Sequence, residues 1–310
     1  MKGLLVAAMR GRTQASMAVV VTALLALLLS PLSILSNGLV VLATLRNGPR
    51  EGVLVAGISV LAMALLGGLL FAQPLVLGAL GLMLWLPAWG LALVLGRSGS
   101  LMRALEAAVL AGMALVLMQY LLLNDPAAFW GGLLQDYMAV NWDSEVVPED
   151  RQRALLEAMA GWMPGGIGGV WALSAALALM WGRWGQALLA GHEGAFGREF
   201  RALRAARPWL WGVLVLLLAG LAGDQPNLAG QLQVVILTLF LLQGLAAAHG
   251  VVALAGGKRG WLFGLYFLLI VGLPHSLTAV AIAGYADGWL DFRARVRGDT
   301  GGSSGPGKGQ

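Results

Sequence analysis

Long apolar segments separated by short polar stretches dominate this 310-residue sequence. The longer runs cover residues 53–71, 75–95, 105–123, 165–181, 208–222, 232–254 and 261–285. Most approach the ~20 residues that an α-helix needs to cross ~30 Å of hydrocarbon. Only 11% of the residues are charged, whereas about a quarter are charged in an average soluble protein. The sequence therefore predicts an all-α, polytopic transmembrane helical bundle, because a helix satisfies its own backbone hydrogen bonds in lipid.

Proline interrupts the apolar segments at both ends of the predicted bundle. The first run, 17–29, stops before Pro31 and is followed by a short run at 39–45. The last run contains Pro274. Interrupted helices are tolerated where protein or a cavity shelters the freed backbone groups. We expect an integral membrane domain over residues 1–297, with about eight hydrophobic segments of which the first and last are interrupted.

The charge of the polar stretches predicts an orientation. Segment 124–162 holds seven acidic residues and only two arginines, whereas segment 183–207 holds five arginines and two glutamates. Cytoplasmic loops carry an excess of Lys and Arg. The acidic segment is therefore predicted to be a periplasmic loop and the basic one a cytoplasmic loop of a multi-pass protein in the inner membrane of a bacterium. The basic residues near both termini place those termini in the cytoplasm.

Several functional classes are excluded or disfavoured by composition. The chain has no cysteine, so thiolate metal sites, disulfides and cysteine nucleophiles are excluded. Its net charge of +5 comes from residues beside apolar segments, which indicates the positive-inside pattern rather than nucleic-acid binding. Walker A and His-Glu-x-x-His motifs are absent from the sequence. We predict no cofactor, no metal and no catalytic residue, and we expect the Gly-rich segment 298–310 to be a disordered tail.

Polar side chains inside apolar segments are the candidates for ligand binding, because each is costly in lipid. The candidates are Asn37, Gln119, Gln243, His249 and His275. A lone Asn or Gln also serves as a hydrogen bond between helices, and His249 lies close enough to Lys258 for an interfacial position. Both interpretations stay open at the level of sequence.

Charged residues near the C-terminus follow helical spacing. Asp287, Asp291 and Arg295 recur every four residues and fall on one face of a continuous helix. They predict an ion-paired helix end.

Residues 196–207 form a basic amphipathic pattern. Arg198, Arg201 and Arg204 recur every three residues beside an aromatic face. These arginines are predicted to contact anionic lipid or a protein partner.

Two local motifs resemble those of rhomboid intramembrane proteases. They are Gly96-Arg-Ser98-Gly99 and the later Ala-Ala-His249-Gly250, and in that family a buried His activates a Ser. Ser98 lies beside Arg97, where a Ser commonly caps a helix, and a His and Asn four apart that complete the rhomboid oxyanion site are missing. The chain is therefore predicted not to be an enzyme, and an intramembrane serine hydrolase ranks third among the predicted functions.

Two other stretches are specific enough to suggest a family. GAFGREFRALR at 194–204 and DGWLDFR at 287–293 resemble the YybS-like family of bacterial inner-membrane proteins, whose activity is not settled. The order of apolar segments and basic loops extends the resemblance over most of the chain.

The opening layout is similar to that of the substrate-binding subunits of energy-coupling-factor transporters. A first helix, a proline break, a short return and the turn Arg46-Asn-Gly-Pro-Arg50 follow one another. Those subunits dock onto their partner through an Ala-x-x-x-Ala stripe, and small residues stand at that spacing here: Ala18, Thr22, Ala26 and Ser30. Ordinary helix packing explains such a stripe equally well.

These observations lead to one principal prediction and one alternative. The principal prediction is a membrane-embedded small-molecule binding or transport subunit without its own ATPase, with its cavity near Pro31 and Pro274. The alternative is a non-catalytic membrane scaffold that recruits a cytoplasmic partner or anionic lipid. The expected partners are the lipid bilayer, a small ligand and a membrane or cytoplasmic protein, but not nucleic acid.

Overall fold

A computed structural model describes residues 2–141, 148–224, 226–257 and 260–296. These residues form helices and contain no strand, so the all-α prediction is confirmed. The helices are α1 (Lys2–Ala8), α2 (Arg12–Ala26), α3 (Leu32–Asn47), α4 (Pro49–Phe71), α5 (Pro74–Ser98), α6 (Leu101–Leu122), α7 (Pro126–Asn141), α8 (Glu149–Leu189), α9 (Ala195–Arg201), α10 (Arg207–Leu221), α11 (Leu228–Leu254), α12 (Gly260–Val271) and α13 (His275–Leu290). The predicted tail, 298–310, lies outside the described residues, as does Lys258.

Five of the helices in the described ranges are long and apolar enough to cross a membrane: α4, α5, α6, α8 and α11. Four others, α2, α3, α10 and α12, are apolar but shorter. The structure therefore supports a membrane protein, while the predicted number of about eight segments is not confirmed.

Both predicted proline interruptions are present. Helix α2 ends at Ala26 and α3 begins at Leu32, with Pro31 as its N-cap residue. Helix α12 ends at Val271, and Pro274 is the N-cap residue of α13. Proline lacks the backbone N–H that an interior helix position donates, so it suits the start of a helix, whereas inside a helix, as at Pro87 of α5 and Pro164 of α8, it removes a hydrogen bond.

The segments predicted as loops are largely helical. Helix α7 and the beginning of α8 lie within 124–162, and the end of α8 and all of α9 lie within 183–207. Residues 149–160, EDRQRALLEAMA, are mostly strong helix formers. They extend α8 well beyond its apolar portion, to 41 residues in all.

The chain divides into two compact units. Unit 1 is Met1–Ala108 with Leu173–Leu203, and unit 2 is Val109–Ala172 with Arg204–Gln310. In unit 1, α3 is packed so closely against α8 that a Cβ atom on Gly38 would lie 2.5 Å from the Trp181 ring. The fully buried Trp85 donates from its indole nitrogen to Ser36 Oγ at 2.9 Å. Glycine packing and a buried hydrogen bond thus hold this helical core together.

In unit 2, the closest helix pair is α11 with α13. A Cβ atom on Gly284 would lie 2.0 Å from the carbonyl oxygen of Phe240, and one on Gly244 would lie 2.2 Å from that of Val280. Only glycine allows two helix backbones to approach this closely. Helix α12 packs against both helices of this pair.

Candidate functional site

An apolar cavity of about 470 Å³ lies between α11, α12 and α13 of unit 2. Its lining includes Ala248, Val252, Trp261, Leu265, Ala283 and Phe292. Ligand pockets in proteins commonly measure about 300–1,000 Å³ and are predominantly apolar. By size and lining, this cavity suits a small apolar molecule.

The cavity arises from an imbalance in side-chain size. Helix α11 presents small residues to it, including Gly244, Ala247 and Ala248, while the facing residues of α12 are large. Leu269 is the buried residue of α12. Trp261 is 75% exposed, so it leaves part of the space beside the small residues of α11 unfilled.

Neither Pro31 nor Pro274 lines this cavity. Its α12 residues, Trp261, Leu262 and Leu265, come from the first half of that helix, whereas Pro274 follows the helix's other end. Pro31 belongs to unit 1 and does not line this cavity. A proline break marks where backbone groups are freed, but the cavity is set by side-chain volumes between helices.

Gln243 of α11, a predicted ligand residue, is fully engaged within the protein. Its Oε1 accepts from the Ala205 amide at 2.8 Å, and its Nε2 donates to the Gly284 carbonyl at 2.9 Å and to Asp287 Oδ2 at 3.4 Å. The side chain is 1% exposed. It therefore joins three parts of unit 2 as interhelical hydrogen bonding, the structural interpretation of a lone Gln.

A buried ion pair lies next to Gln243. Asp287 is fully buried and accepts from Arg293 Nη2 at 2.7 Å. The amide of Phe292 also donates to Asp287 Oδ1, at 3.1 Å. A buried carboxylate requires such pairing, because an unpaired buried charge is strongly destabilising.

The predicted ion-paired helix end is present, but its partners differ. Helix α13 ends at Leu290, and Asp291 has a left-handed φ of 49°. The helix does not continue to Arg295, and the partner of Asp291 is Arg204. The hydrogen bond from Arg204 lowers the pKa of the Asp291 carboxyl below its ordinary value.

Gln119 of α6 is also used for packing. Its Oε1 accepts from Trp130 Nε1 at 2.9 Å, and its Nε2 approaches the carbonyl of Leu115 at 3.3 Å and that of Pro164 at 3.5 Å. The side chain is buried. It holds together α6, α7 and α8 within unit 2.

Gln231 is a fully buried glutamine that the hydropathy pattern does not single out. Its Oε1 accepts from the Gly165 amide at 2.6 Å, and its Nε2 donates to the Gly161 carbonyl. Both groups flank Pro164, which interrupts the hydrogen bonds of α8 because it has no N–H. The predicted apolar run began one residue later, at 232, so Gln231 was not counted among the polar residues inside apolar segments, and nothing in the sequence pairs it with Pro164.

The remaining ligand candidates are not among the residues that line the cavity. Asn37 is 8% exposed, and its Oδ1 has no hydrogen-bond partner among the described residues. His249 Nδ1 lies 2.9 Å from the Leu245 carbonyl, and its ring contacts Tyr266 edge-on. His275 is exposed at the start of α13.

The Ser of the rhomboid-like motif takes part in a turn. Ser98 Oγ accepts from the Ser100 amide at 3.2 Å and lies 3.4 Å from the Ser100 carbonyl. This is the local side-chain to backbone bonding that Ser makes at helix ends. Ser98 therefore has a structural role of its own.

The predicted docking residues occupy two kinds of environment. Ala18, Thr22 and Ala26 are half-buried on α2, and Thr22 Oγ1 donates to the Ala18 carbonyl at 2.7 Å. Arg198 is exposed on α9 and Arg201 is half-buried.

The third arginine of the basic pattern lies beyond α9. Arg204 forms its ion pair with Asp291 and also donates to the Gly288 carbonyl at 3.3 Å. The three predicted arginines therefore do not form one uniform free face.

Comparison of the chain with protein families, with curated proteins and with solved structures found no match. The YybS-like assignment and the similarity to energy-coupling-factor subunits stay predictions.

Proposed function

We propose that this chain is a membrane-embedded subunit that binds a small apolar molecule, for storage or transport, without an ATPase of its own. The observation that carries the proposal is the cavity of about 470 Å³ between α11, α12 and α13. Its lining is almost entirely apolar. A charged ligand would lose its hydration there without a partner, which is strongly unfavourable.

Shape must select the ligand, because lipid tails are as apolar as the cavity wall. An apolar molecule dissolved in the bilayer gains from the cavity only through closer contact with protein atoms, and dispersion contacts fall off steeply with distance. The lining combines the small side chains of Ala247 and Ala248 with the indole of Trp261, and we infer that a compact or planar molecule fills this space better than a flexible chain.

The loosely packed helix α12 offers the route of entry. Leu268 and Ile270 of this helix are exposed at 63% and 72%, and in a bilayer those side chains contact lipid. Helices with few buried contacts move at low energetic cost. The cavity is already open on one side, and a small displacement of α12 would widen that opening to the hydrocarbon, where an apolar molecule is already concentrated.

A membrane scaffold is the second candidate function. The exposed Arg198 on α9 favours it, because an Arg near a membrane surface attracts anionic lipid or an acidic partner. The engagement of Glu199 with Arg183 at 2.8 Å and of Arg204 with Asp291 shows that much of this charge serves the fold. The first candidate is therefore preferred.

The test is to fill the cavity. Ala248→Phe places a ring in the space between α11 and α12, whereas Ala253→Phe adds the same ring to an exposed position of α11 outside the lining. Each protein is extracted in a mild detergent, and its co-purified small molecules are identified by mass spectrometry. We expect an apolar molecule in wild type and in Ala253→Phe that is lost from Ala248→Phe. An identical set of molecules in all three well-folded proteins would exclude this cavity as the site.

A further inference from the structure

A second cavity, of about 420 Å³, lies between the start of α10 and the end of α13. Unlike the cavity above, its exposed lining is mainly polar. It is lined by Arg204, Ala205, Arg207, Trp211, Gly288 and Trp289. We call it the Arg/Trp pocket. Two arginines and two tryptophans at the ends of two apolar helices form an unusual combination in a chain with so few charges.

The pocket has one uncompensated positive charge. Arg204 is paired with Asp291, and the nearby Asp287 is paired with Arg293. Arg207 is exposed and makes no hydrogen bond or ion pair within the part of the chain that the structure describes. The packing of α10 on α13 therefore holds two guanidinium groups at one cavity, and only one of them has a carboxylate partner.

The two tryptophans give the pocket the character of a membrane interface. Their rings meet edge to face with centroids 5.2 Å apart. Trp211 is 57% exposed and Trp289 is 45% exposed. Exposed Trp is enriched at the level of lipid headgroups, where its ring contacts apolar chains and its N–H meets polar groups.

An exposed apolar strip runs from the pocket along α10. Trp211, Val215 and Leu218 follow the i, i+4, i+7 spacing of one helix face. Val215 and Leu218 are 64% and 67% exposed. A molecule bound in the pocket can therefore continue along this strip only if it carries an apolar chain.

We propose that the Arg/Trp pocket binds the phosphate of an anionic phospholipid, with the acyl chains along the α10 strip. The chemistry it recognises is a phosphate ester, which guanidinium groups bind through charge-assisted hydrogen bonds. A soluble phosphate would use the arginines but not the strip. The site is independent of the apolar cavity between α11, α12 and α13.

The experiment uses the purified full chain in a nonionic detergent. Native mass spectrometry measures the binding of dioleoylphosphatidylglycerol, and dioleoylphosphatidylcholine serves as the neutral comparison. Arg207→Gln removes the unpaired charge, Arg207→Lys restores it, and Arg295→Gln removes an exposed charge that does not line the pocket. Glycerol 3-phosphate in millimolar excess tests whether a soluble phosphate displaces the lipid.

We expect wild type to prefer the anionic lipid and Arg207→Gln to weaken its binding about fivefold, the effect of one interfacial charge. Arg207→Lys should recover most of the affinity, and Arg295→Gln should match wild type. Equal losses in Arg207→Gln and Arg295→Gln would show a general effect of charge and overturn the site. Displacement of the lipid by glycerol 3-phosphate, or equal binding of both lipids, would also overturn the proposal.

Discussion

Replacing Gly284 with alanine should separate the closest pair of helices in unit 2. The added Cβ would lie 2.0 Å from the Phe240 carbonyl oxygen, whereas ordinary contact begins at 3.4 Å. The difference means that α11 and α13 must move apart by about 1.4 Å at this point. The next nearest atoms, at 2.5 and 3.0 Å, belong to the backbone of Gly244, so no flexible side chain can give way.

The expected cost follows from this geometry. Overpacking a well-packed interior typically costs about 1–3 kcal/mol, and a clash with backbone lies at the upper end. The movement would also stretch the hydrogen bond from Gln243 Nε2 to the Gly284 carbonyl, now 2.9 Å. We expect Gly284→Ala to lower the free energy of unfolding by about 3 kcal/mol.

The assay is unfolding of the detergent-solubilised protein by increasing mole fractions of sodium dodecyl sulfate, followed by far-UV circular dichroism. Gly166→Ala is the matched control, because a Cβ there meets no atom within 4 Å and alanine favours a helix. The control should be as stable as wild type or slightly more so. If Gly284→Ala unfolds at the same detergent mole fraction as the control, the close approach of α11 and α13 is not as described.

Three further predictions concern the hydrogen bonds, the ion pair and the orientation. Gln243→Leu should cost about 1–3 kcal/mol in the same assay, because the buried Ala205 amide loses its acceptor; an unchanged midpoint would contradict this. Because Arg204 lowers the Asp291 pKa, the pair stabilises the fold at neutral pH, and this stabilisation is lost as the pH falls through that lowered pKa. Asp291→Asn should therefore be less stable than wild type by under about 1 kcal/mol at neutral pH, and a difference that grows in acid would refute the assignment. In this cysteine-free chain, a cysteine at Asp143 should react with an impermeant thiol reagent from the periplasm and one at Ala202 should not, and the reverse pattern would invert the orientation.

The sequence predicted the helical architecture well because lipid and proline act locally. Apolar runs near the length of a membrane span became α4, α5, α6 and α11. Pro31 and Pro274 each mark the start of a new helix, because the missing N–H is a property of the residue itself. Hydropathy was a poorer guide to helix ends, since residues 149–164 are polar enough for a loop and still begin α8.

The contacts between helices could not be predicted from such local features of the sequence. Asp291 pairs with Arg204, and Asp287 with Arg293, rather than either with Arg295, because the left-handed Asp291 ends the helix that the four-residue spacing assumed. Gln231 precedes the predicted apolar run 232–254 by one residue, and its contact with the residues around Pro164 was not predicted. The cavity depends on the distance between α11 and α12, which no periodicity in either helix encodes.

The most direct test of the ligand-binding proposal is a cryo-electron microscopy map of the full chain in lipid nanodiscs, with an antibody fragment bound to increase its size. The protein would be purified in mild detergent without added ligand. The proposal predicts non-protein density between α11, α12 and α13, bounded by Val252, Trp261 and Ala283 and absent from Ala248→Phe. A map in which α12 packs directly onto α11, with no space between Val252 and Trp261, would contradict the proposal.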